Sequence, residues 1–586
     1  MDTYRASVTE MLSDQTTYKP VLYLEDPTPQ REKACKVFVD GLAKRNEWRR
    51  PLKTKLTPAY SRTPVLYTLW KVHKDREPGQ LPPPRPINSQ CGGPTETVSW
   101  LACRILTQLV ELVPTNLKNS SDFVTRLRQY GRVPPHAVLY SLDVKSLYPS
   151  IDTTEAMPMV REFAEEHWDE IDSLGLTVAD LMKCLNLVID DNVFRFHKEL
   201  FQQTHGVAMG VSAAPPFAII FMHKFWRRAI EGHPQRIQPY DSIYIDDSFG
   251  YWTASVESLE EYVRDYLNSV MPSIQFTIEL ARPGEALAFL DTTVTNVEGE
   301  LQTGWYQKPM ASGIVLNYLS HHPLSTKLGV AAGMFLTAGR NCSTPELRAD
   351  AFQRITSILL TNNYPRHLVT KQRRGVERKL DAPLRQHRDQ QRKDPLLIIP
   401  FVSDGLTRAI RKEARALDLN ARVVCRSAKT LRSELCRSDV LYSICPTLFE
   451  CSICRVQATG QNNRYGTCIK RDLVYRLTCH HCPATYCGET SQPLGERCKQ
   501  HSHAVYNDHQ SYAMAKHYAT AHPEAHAELQ AAWRACRNNM QKSKKRFPFS
   551  VEVIQQTKGT TERKICESIR ISMDKPSINI NAGWEL

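Results

Sequence analysis

The sequence lacks any run of about 18 uninterrupted apolar residues, the length that a membrane-crossing helix requires, so no membrane partner is expected. Its first residues, Met1-Asp2-Thr3-Tyr4-Arg5, do not read as a signal peptide, and a soluble, intracellular protein is the expectation. Neither an internal repeat nor a long low-complexity tract occurs, which argues against a solenoid and against a mostly disordered chain. Lys and Arg number 75 against 62 Asp and Glu, a net charge of +13, so a polyanionic partner is favoured. The chain has 586 residues, enough for roughly three or four domains. Of its 17 Cys, those after Cys425 are dense and interleaved with His; in a reducing compartment this pattern reads as metal binding, not disulfides.

Two adjacent carboxylates interrupt the apolar stretch Ser242-Ile243-Tyr244-Ile245-Asp246-Asp247-Ser248-Phe249-Gly250-Tyr251. Such a pair is costly in a buried strand or turn unless a divalent cation neutralises it. Taken alone, the stretch equally fits a hairpin turn with both carboxylates in water. Upstream, Tyr140-Ser141-Leu142-Asp143-Val144 places one more acid after alternating apolar residues. One acid at a strand end and a distant acid pair on a hairpin is the arrangement that polymerases use to hold two Mg²⁺ ions.

The surrounding segments fit that arrangement. Val65 to Lys74 and Arg85 to Ser89 read as a hairpin on which Lys71, Lys74 and Arg85 could grip a triphosphate, or else form a solvated basic face. Tyr148 is spaced to close over a nucleotide sugar and exclude a 2′-hydroxyl; a core tyrosine is the other reading. A helix over Ala179–Leu187 and the Gly206 to Gly210 turn, which feeds the apolar helix Ala218–Met222, lie between Asp143 and the acid pair. Small residues in that turn, Gly210 among them, would let backbone approach a template base or an incoming nucleotide.

In this order the parts resemble a reverse transcriptase. Leu66-Tyr67-x-Leu69-x-Lys71-x-His73-Lys74, Arg85-Pro86-Ile87-x-Ser89, Phe289-Leu290-Asp291, Gly304-Trp305-Tyr306-Gln307-Lys308-Pro309 and Ser320-His321-His322-Pro323 narrow the likeness to Penelope-like elements, a retroelement family related to telomerase. The resemblance spans about Tyr60 to Lys327; Trp70 stands where the family usually has Pro, and Val211-Ser212-Ala213-Ala214 replaces a more polar run. It implies a right-hand polymerase with fingers and palm, then a helical thumb rich in Arg and Lys between Arg366 and Lys393 that tracks the template-primer backbone. A solvated basic helix or a localisation signal is the other reading of that basic segment. Asp143 and Asp246 would bridge two Mg²⁺ (or Mn²⁺) ions, with Asp247 completing the acidic site.

The last third of the chain carries different chemistry. Cys479-His480-His481-Cys482 with His517-x₄-His522 offers two thiolates and two imidazoles, a tetrahedral Zn²⁺ donor set, unless the four never meet in space. Cys451, Cys454 and Cys468, with Cys445 nearby, are candidates for a second zinc site or else reduced structural cysteines. Leu473 to Leu477 and Thr485 to Thr490 read as strands, and Leu494 to His501 opens a helix that places Arg497 and His501 on one face. With Glu567 and Asn579 following in order, the segment Asp472 to Asn581 resembles a GIY-YIG endonuclease, although Leu473-Val474-Tyr475 and Tyr486-Cys487-Gly488 are degenerate forms of the name motif. The resemblance implies that Glu567 holds one Mg²⁺ or Mn²⁺, that Arg497 neutralises phosphate oxygens, and that Tyr475, Tyr486 and His501 are candidates to orient or deprotonate the attacking water.

The expected fold class is α+β multidomain, a right-hand polymerase followed by a small α/β GIY-YIG domain with a zinc-binding insertion. Its segments are an N-terminal helical extension (1–50), fingers and palm (51–309), thumb (310–395), connector (396–440), Cys-containing linker (441–471) and nuclease (472–586). The expected activity is target-primed reverse transcription: the nuclease nicks DNA and the freed 3′-hydroxyl primes copying of bound element RNA. Template RNA, target DNA, primer, dNTPs and a second copy of the chain are the expected partners, with nuclear residence following from a genomic target. A catalytically silent nucleic-acid-binding descendant and a telomerase-like polymerase extending existing ends are the alternatives.

Overall fold

The computed structural model describes residues 2–22, 26–59, 61–70, 81–189, 192–197, 199–232, 242–382, 395–419, 421–426, 467–537, 548–557 and 560–579. Lys71, Lys74, Cys445, Cys451, Cys454 and the basic residues from Arg385 to Lys393 lie outside these residues. The fold is mixed α and β and divides into two compact units, 1–428 and 429–586.

The described residues of the first unit contain β1 (Tyr18–Val21), β2 (Val65–Trp70), β3 (Pro84–Ser89), β4 (Val138–Val144), β5 (Asn192–Phe196), β6 (Glu199–Gln203), β7 (Ile243–Tyr244), β8 (Asp247–Trp252), β9 (Phe276–Ala281), β10 (Ala286–Phe289), β11 (Thr292–Val297), β12 (Glu300–Trp305), β13 (Leu396–Pro400) and β14 (Arg422–Arg426). They assemble in the orders β1-β6-β5-β2-β3, β7-β8-β4-β9, β10-β11-β12 and β13-β14.

The second of these sheets is the centre of the unit, because β4 is apolar on both faces. Tyr140, Leu142 and Val144 point into the largest core, with Leu101 and Ile105 of the helix Glu96–Glu111, Phe163 of Thr153–His167, Leu185 of Val178–Ile189 and Phe221 of Ala214–Glu231. Leu139 points the other way, into a cluster with Phe123, Phe249, Ala281 and Phe289. The Phe123 ring lies 5.0 Å from that of Phe249 and 4.7 Å from that of Phe289, within the range of attractive aromatic pairs. The helix Ala214–Glu231 starts where Pro215 and Pro216 occupy its first turn, where the missing N–H groups have no intrahelical partner to lose.

The expected hairpin forms as β2 and β3, paired from Val65↔Ser89 to Trp70↔Pro84. Residues 1–50 are not a separate extension: β1 pairs with β6 in the same sheet, and the Tyr4 hydroxyl accepts a hydrogen bond from the Thr68 N–H at 3.0 Å. The glycine turn meets this sheet instead of standing open. Met209 O accepts from Asn88 N–H at 2.7 Å, and Gly210, at φ +106°, lies so close to β3 that a Cβ there would sit 2.3 Å from Asn88 O. The close approach expected toward a nucleotide is therefore made, in this fold, to the β3 backbone.

Three helices follow, Leu324–Asn341, Pro345–Thr361 and Arg366–Leu380, packed through Phe335, Phe352, Ile355, Leu359, Val369 and Val376. Lys371, Arg374 and Arg378 lie three and four residues apart on the last of them and are exposed. The expected connector begins with a structured β-helix-β element: β13 and β14 run parallel, joined by the helix Asp404–Ala416, because a parallel pair needs a crossover. The Asp404 carboxylate accepts from Leu324 N–H at 3.1 Å, which caps the start of the helix Leu324–Asn341 from outside.

The second unit is built on β15 (Leu473–Cys479), β16 (Thr485–Thr490) and β17 (Phe549–Gln556), antiparallel in the order β16-β15-β17. Leu473, Tyr475 and Leu477 alternate onto one face and pack with Leu494 and Cys498 of the helix Leu494–Tyr506 and with Tyr518 of Ala513–Ala521. The helix Thr560–Asp574 packs on β15 and β16.

Glycine strain and steric conflict are separable at two positions. Gly284→Ala meets open space at φ +86°, so only backbone strain of about 1 kcal/mol is expected. Gly210→Ala must in addition displace the Asn88 carbonyl and is expected to cost at least about 3 kcal/mol. Thermal melting of the two variants checks the difference; equal losses would show that the Asn88 contact is not limiting.

Candidate functional site

Strand pairing builds the first site. In the antiparallel pair of β4 and β8, Asp143 lies directly opposite Asp247, so both side chains leave the same face of the sheet. That face is covered near Leu139 and Phe249 but open at its end, where both aspartates are half-buried. Asp246 occupies the two-residue link between Tyr244 and Asp247, which pair across the β7-β8 hairpin. Ile245 beside it adopts φ +55°, a left-handed conformation that a β-branched residue adopts only at a cost of about 1–3 kcal/mol. The turn is held there from both sides: Asp246 O accepts from Val144 N–H at 3.3 Å, and Ile243 exchanges hydrogen bonds with Thr115 and Leu117.

The electrostatics follow from crowding. Burial first, then the charges of Asp246 and Asp143, push the Asp247 carboxyl up to about 7, against a smaller opposing effect of Lys308. Lys308 and Glu279, whose charges act on Asp247, were not singled out as site residues from sequence; Lys308 lies in the segment Gly304 to Pro309, whose order in the chain was the available signal. Tyr148 is half-buried, and its phenol is pushed up to about 12 by burial and then by Asp246 and Tyr244, so it belongs to the same cluster. Its carbonyl accepts from Val207 N–H at 2.8 Å, which fastens the glycine turn beside it. Arg85 is exposed on β3, two residues from Ile87 and on the same strand face; Ile87 touches the position a Gly210 Cβ would take. The oxygen-only donor set suits a hard cation such as Mg²⁺ or Mn²⁺.

In the second unit Tyr475, Tyr486, Arg497 and His501 converge. Arg497 Nε donates to the Tyr475 hydroxyl oxygen at 3.1 Å, so the tyrosine's own proton points to His501 Nε2, 2.7 Å away. Tyr475 and His501 are fully buried, and burial followed by the Arg497 charge pushes the His501 imidazole down to about 3, so it is neutral at physiological pH. Burial likewise holds the Tyr475 phenol well above its ordinary range. Tyr486 is half-buried, its ring 6.4 Å from that of Tyr475 and 5.3 Å from that of His501. Gly488 makes this convergence feasible, since a Cβ would lie 2.6 Å from Tyr486 Cε1 and 2.9 Å from the Tyr475 hydroxyl. The Glu567 carboxyl is half-buried and shifted upward, mainly by burial and then by Glu489, with Arg497 opposing.

Asn579, expected among the catalytic residues, is placed differently. Its amide oxygen accepts from Cys487 N–H at 2.8 Å and its amide nitrogen donates to Cys487 O at 2.7 Å, so both ends are spent on the backbone between Tyr486 and Gly488. An Asn side chain has the same donor and acceptor pair as a peptide group, and here it completes the edge strand.

The predicted cysteine and histidine set does meet. Donor atoms of Cys479, Cys482, His517 and His522 all lie within 4.8 Å of one another, and Cys482 Sγ is 3.4 Å from His517 Nε2. Five residues apart on a regular helix, the two imidazoles would diverge by about 140°. The helix Ala513–Ala521 ends at His522, whose φ of −139° and ψ of 56° turn it back toward the cysteines. Nε2 of His522 is buried without a hydrogen-bond partner, and Cys479 Sγ accepts from His481 N–H at 3.4 Å. Two sulfurs and two imidazoles, one of which has a buried nitrogen without a hydrogen-bond partner, fit Zn²⁺. The three aspartates of the first unit are not drawn this tightly together, as like charges without an intervening cation should not be. Cys468 is buried against Gly495 and stands outside the four-residue set.

Comparisons with known proteins give the following. A family described as the animal helix-turn-helix domain matches residues 314–374, which cover the helices Leu324–Asn341 and Pro345–Thr361 and the start of Arg366–Leu380. No curated protein matches the chain. Among solved structures, telomerase from Candida albicans with a fragment of telomeric RNA is similar at 10% identity and a TM-score of 0.43, over 65% of this chain and 64% of that one. Apo telomerase from Candida tropicalis is similar at 8% identity and a TM-score of 0.32, over 55% and 63%. The BmCPV RNA-dependent RNA polymerase in its elongation state is similar at 13% identity and a TM-score of 0.32, over 61% and 31%. The chain thus spans less than two thirds of each of these proteins. No helix among the described residues is long and apolar enough to cross a membrane.

Two predictions arise from these geometries. The metal-free Asp247 carboxyl titrates near 7 in the folded protein and near 3.8 when unfolded, so stability is highest below about pH 4 with respect to this group and is lost as pH rises through 7. Melting of metal-free protein between pH 5 and 8 is expected to show this loss, and Asp247→Asn to remove its share of the slope. Cys479→Ser or His522→Ala is expected to lower the zinc content by one equivalent per chain and to melt the second unit earlier; unchanged zinc content rules the site out.

Proposed function

We propose that this chain is the protein of a Penelope-like retroelement, an RNA-directed DNA polymerase joined to a GIY-YIG-type DNA endonuclease that nicks target DNA and primes copying of its RNA from the exposed 3′-hydroxyl. The observation that carries the reading is the register that sets Asp143 against Asp247, with Asp246 on the adjoining strained turn. A catalytically silent descendant would have no reason to keep three mutually repelling carboxylates at one strand end.

In the polymerase, Asp143 and Asp246 hold Mg²⁺ or Mn²⁺ and Asp247 completes the acidic site. Bound divalent metal supplies the positive charge that stabilises the triphosphate and favours ionisation of the primer hydroxyl. Arg85, with Lys71 and Lys74 as the sequence pattern suggests, grips the triphosphate, and Tyr148 beside Asp246 closes over the sugar and selects deoxynucleotides. Exposed Lys371, Arg374 and Arg378 meet the template-primer backbone by charge alone, so binding is salt-sensitive and independent of sequence.

In the nuclease, Glu567 holds one divalent metal and Arg497 neutralises a phosphate oxygen. Solvent reaches Tyr486, whereas Tyr475 and His501 are sealed, so the attacking water meets Tyr486 first and the Arg497-Tyr475-His501 chain holds the cluster rigid behind it. Zn²⁺ on Cys479, Cys482, His517 and His522 staples the β15-β16 link to the helix Ala513–Ala521. Work on chromosomal DNA places the protein in the nucleus.

One reaction tests the reading: labelled target DNA, element RNA, Mg²⁺ and dNTPs, scored for cDNA covalently attached to the cut end. Asp246→Ala is expected to cut but to copy at least about 10³-fold more slowly. Glu567→Ala is expected to leave the target intact yet extend a supplied primer. Parent-like synthesis by Asp246→Ala would falsify the polymerase assignment, and parent-like nicking by Glu567→Ala the nuclease metal assignment.

A further inference from the structure

Four residues before Glu567, and therefore on the same face of the helix Thr560–Asp574, lies Arg563. It is 4% exposed, and a guanidinium is almost never buried to that degree unless acids pair with it. Arg563 Nε donates to Glu489 Oε2, and its Nη1 donates to Asp472 Oδ1 at 2.6 Å. Glu489 belongs to β16, three residues beyond Tyr486, and Asp472 immediately precedes β15 at φ +51°. The Asp472 carbonyl accepts in turn from the N–H and hydroxyl of Thr557 at the end of β17, at 2.6 and 2.9 Å. One buried cation therefore ties the helix that carries Glu567 to β16 and to the start of β15, whose Asp472 is itself fastened to Thr557 just past β17.

Glu489 is the acid that needs explaining. Glu489 pairs with Arg563, one helical turn from Glu567, and its charge is the largest that acts on the Glu567 carboxyl. Two adjacent carboxylates would both bind a hard cation and fill positions that a phosphate oxygen and a water must occupy. A fork-shaped guanidinium that engages Glu489 from the other side removes that option.

We propose that Arg563 is a positioning residue of the nuclease, a charge lock that keeps Glu489 off the metal, so that Glu567 alone of the two holds it and coordination positions stay open for substrate. The inference rests on the nuclease reading above. Under it, Glu489 is a neighbour of the metal but not a ligand, and releasing it from Arg563 makes it one.

The test measures Mn²⁺ binding by electron paramagnetic resonance on the full chain, with Asp143→Asn and Asp246→Asn in every sample so that the polymerase carboxylates do not bind the probe. Plasmid nicking against Mn²⁺ concentration, zinc content and melting temperature are recorded in parallel. Glu489→Gln is expected to leave Mn²⁺ affinity within about three-fold of the parent, whereas a ligand lost from the metal would weaken it at least about ten-fold and overturn the lock. Arg563→Met is expected to bind Mn²⁺ at least about ten-fold more tightly while nicking at saturating Mn²⁺ falls by a similar factor, and adding Glu489→Gln is expected to restore parental affinity. Unchanged or weaker Mn²⁺ binding by a folded, zinc-loaded Arg563→Met chain also overturns it. Should Arg563→Met fail to fold, the Glu489→Gln result decides alone. Glu567→Ala is the separate control: if it keeps the nuclease-unit Mn²⁺ signal, the metal assignment itself is wrong, whatever the lock variants do.

Discussion

The repulsion between Asp143, Asp246 and Asp247 is the constraint on which the first unit depends. Three carboxylates at one strand end are unfavourable in every respect that concerns folding, and Asp247 responds by holding its proton to about pH 7. Only a rigid frame keeps them together. β4 is gripped on one face by the large helical core and on the other by the Phe123, Phe249 and Phe289 cluster, and a slip of one residue against β8 would turn Asp143 into the apolar side beside Tyr140 and Leu142. The strained Ile245 is tolerated for the same reason, since neighbours on both sides fix the turn. Stability given up at this point fits the cation site proposed for these carboxylates.

The second unit meets a different difficulty. Tyr475 and His501 are sealed in the core, where neither can carry charge cheaply, and both stay neutral: the tyrosine keeps its proton and shares it in a hydrogen bond to the unprotonated imidazole nitrogen. The one charge among them, Arg497, is only half-buried and also donates to Gln500 Oε1 at 2.9 Å, while the Gln500 amide nitrogen donates to Gln492. Glu567 approaches from a separate helix, fixed by Arg563. The sealed Tyr475-His501 pair on one side and a half-buried carboxyl on the other thus stand on separate elements.

Much of this was legible from residues alone, for reasons that differ by element. The β4 and β15 strands were readable because their runs of Val, Leu and Tyr are almost wholly buried, and Val178–Ile189 because its apolar period is long enough to be unambiguous. The cysteine and histidine set was readable by donor chemistry, although nothing in the spacing announced that the helix must break at His522 to close it. What failed was partnership across the fold. That Gly210 accommodates Asn88, that β1 joins β6, and that Asn579 completes the Cys487 backbone are all decided by contacts between segments far apart in sequence. Arg563 and Glu489 were invisible for the same reason: each reads as an ordinary surface charge until the helix and the strand are brought together. The β13-β14 element hid within an apparent connector because five-residue strands carry too little period to be seen.

Under the proposed function, the donor sets would let one chain keep three metal sites from being confused. Asp143, Asp246, Asp247 and Glu567 offer oxygen only, and hard oxygen donors in partly open positions suit Mg²⁺ or Mn²⁺ that must exchange water for substrate. Cys479, Cys482, His517 and His522 offer sulfur and nitrogen already gathered within 4.8 Å, which suits Zn²⁺ and leaves no fifth position for a substrate. A Zn²⁺ ion drawn to the aspartates would forgo its preferred sulfur ligands, while Mg²⁺ at the cysteines would have to shed tightly held water for soft donors that it binds poorly. Under that reading selection needs no gate: the element that must be rigid would carry the soft, closed site, and the elements that must turn over the hard, open ones.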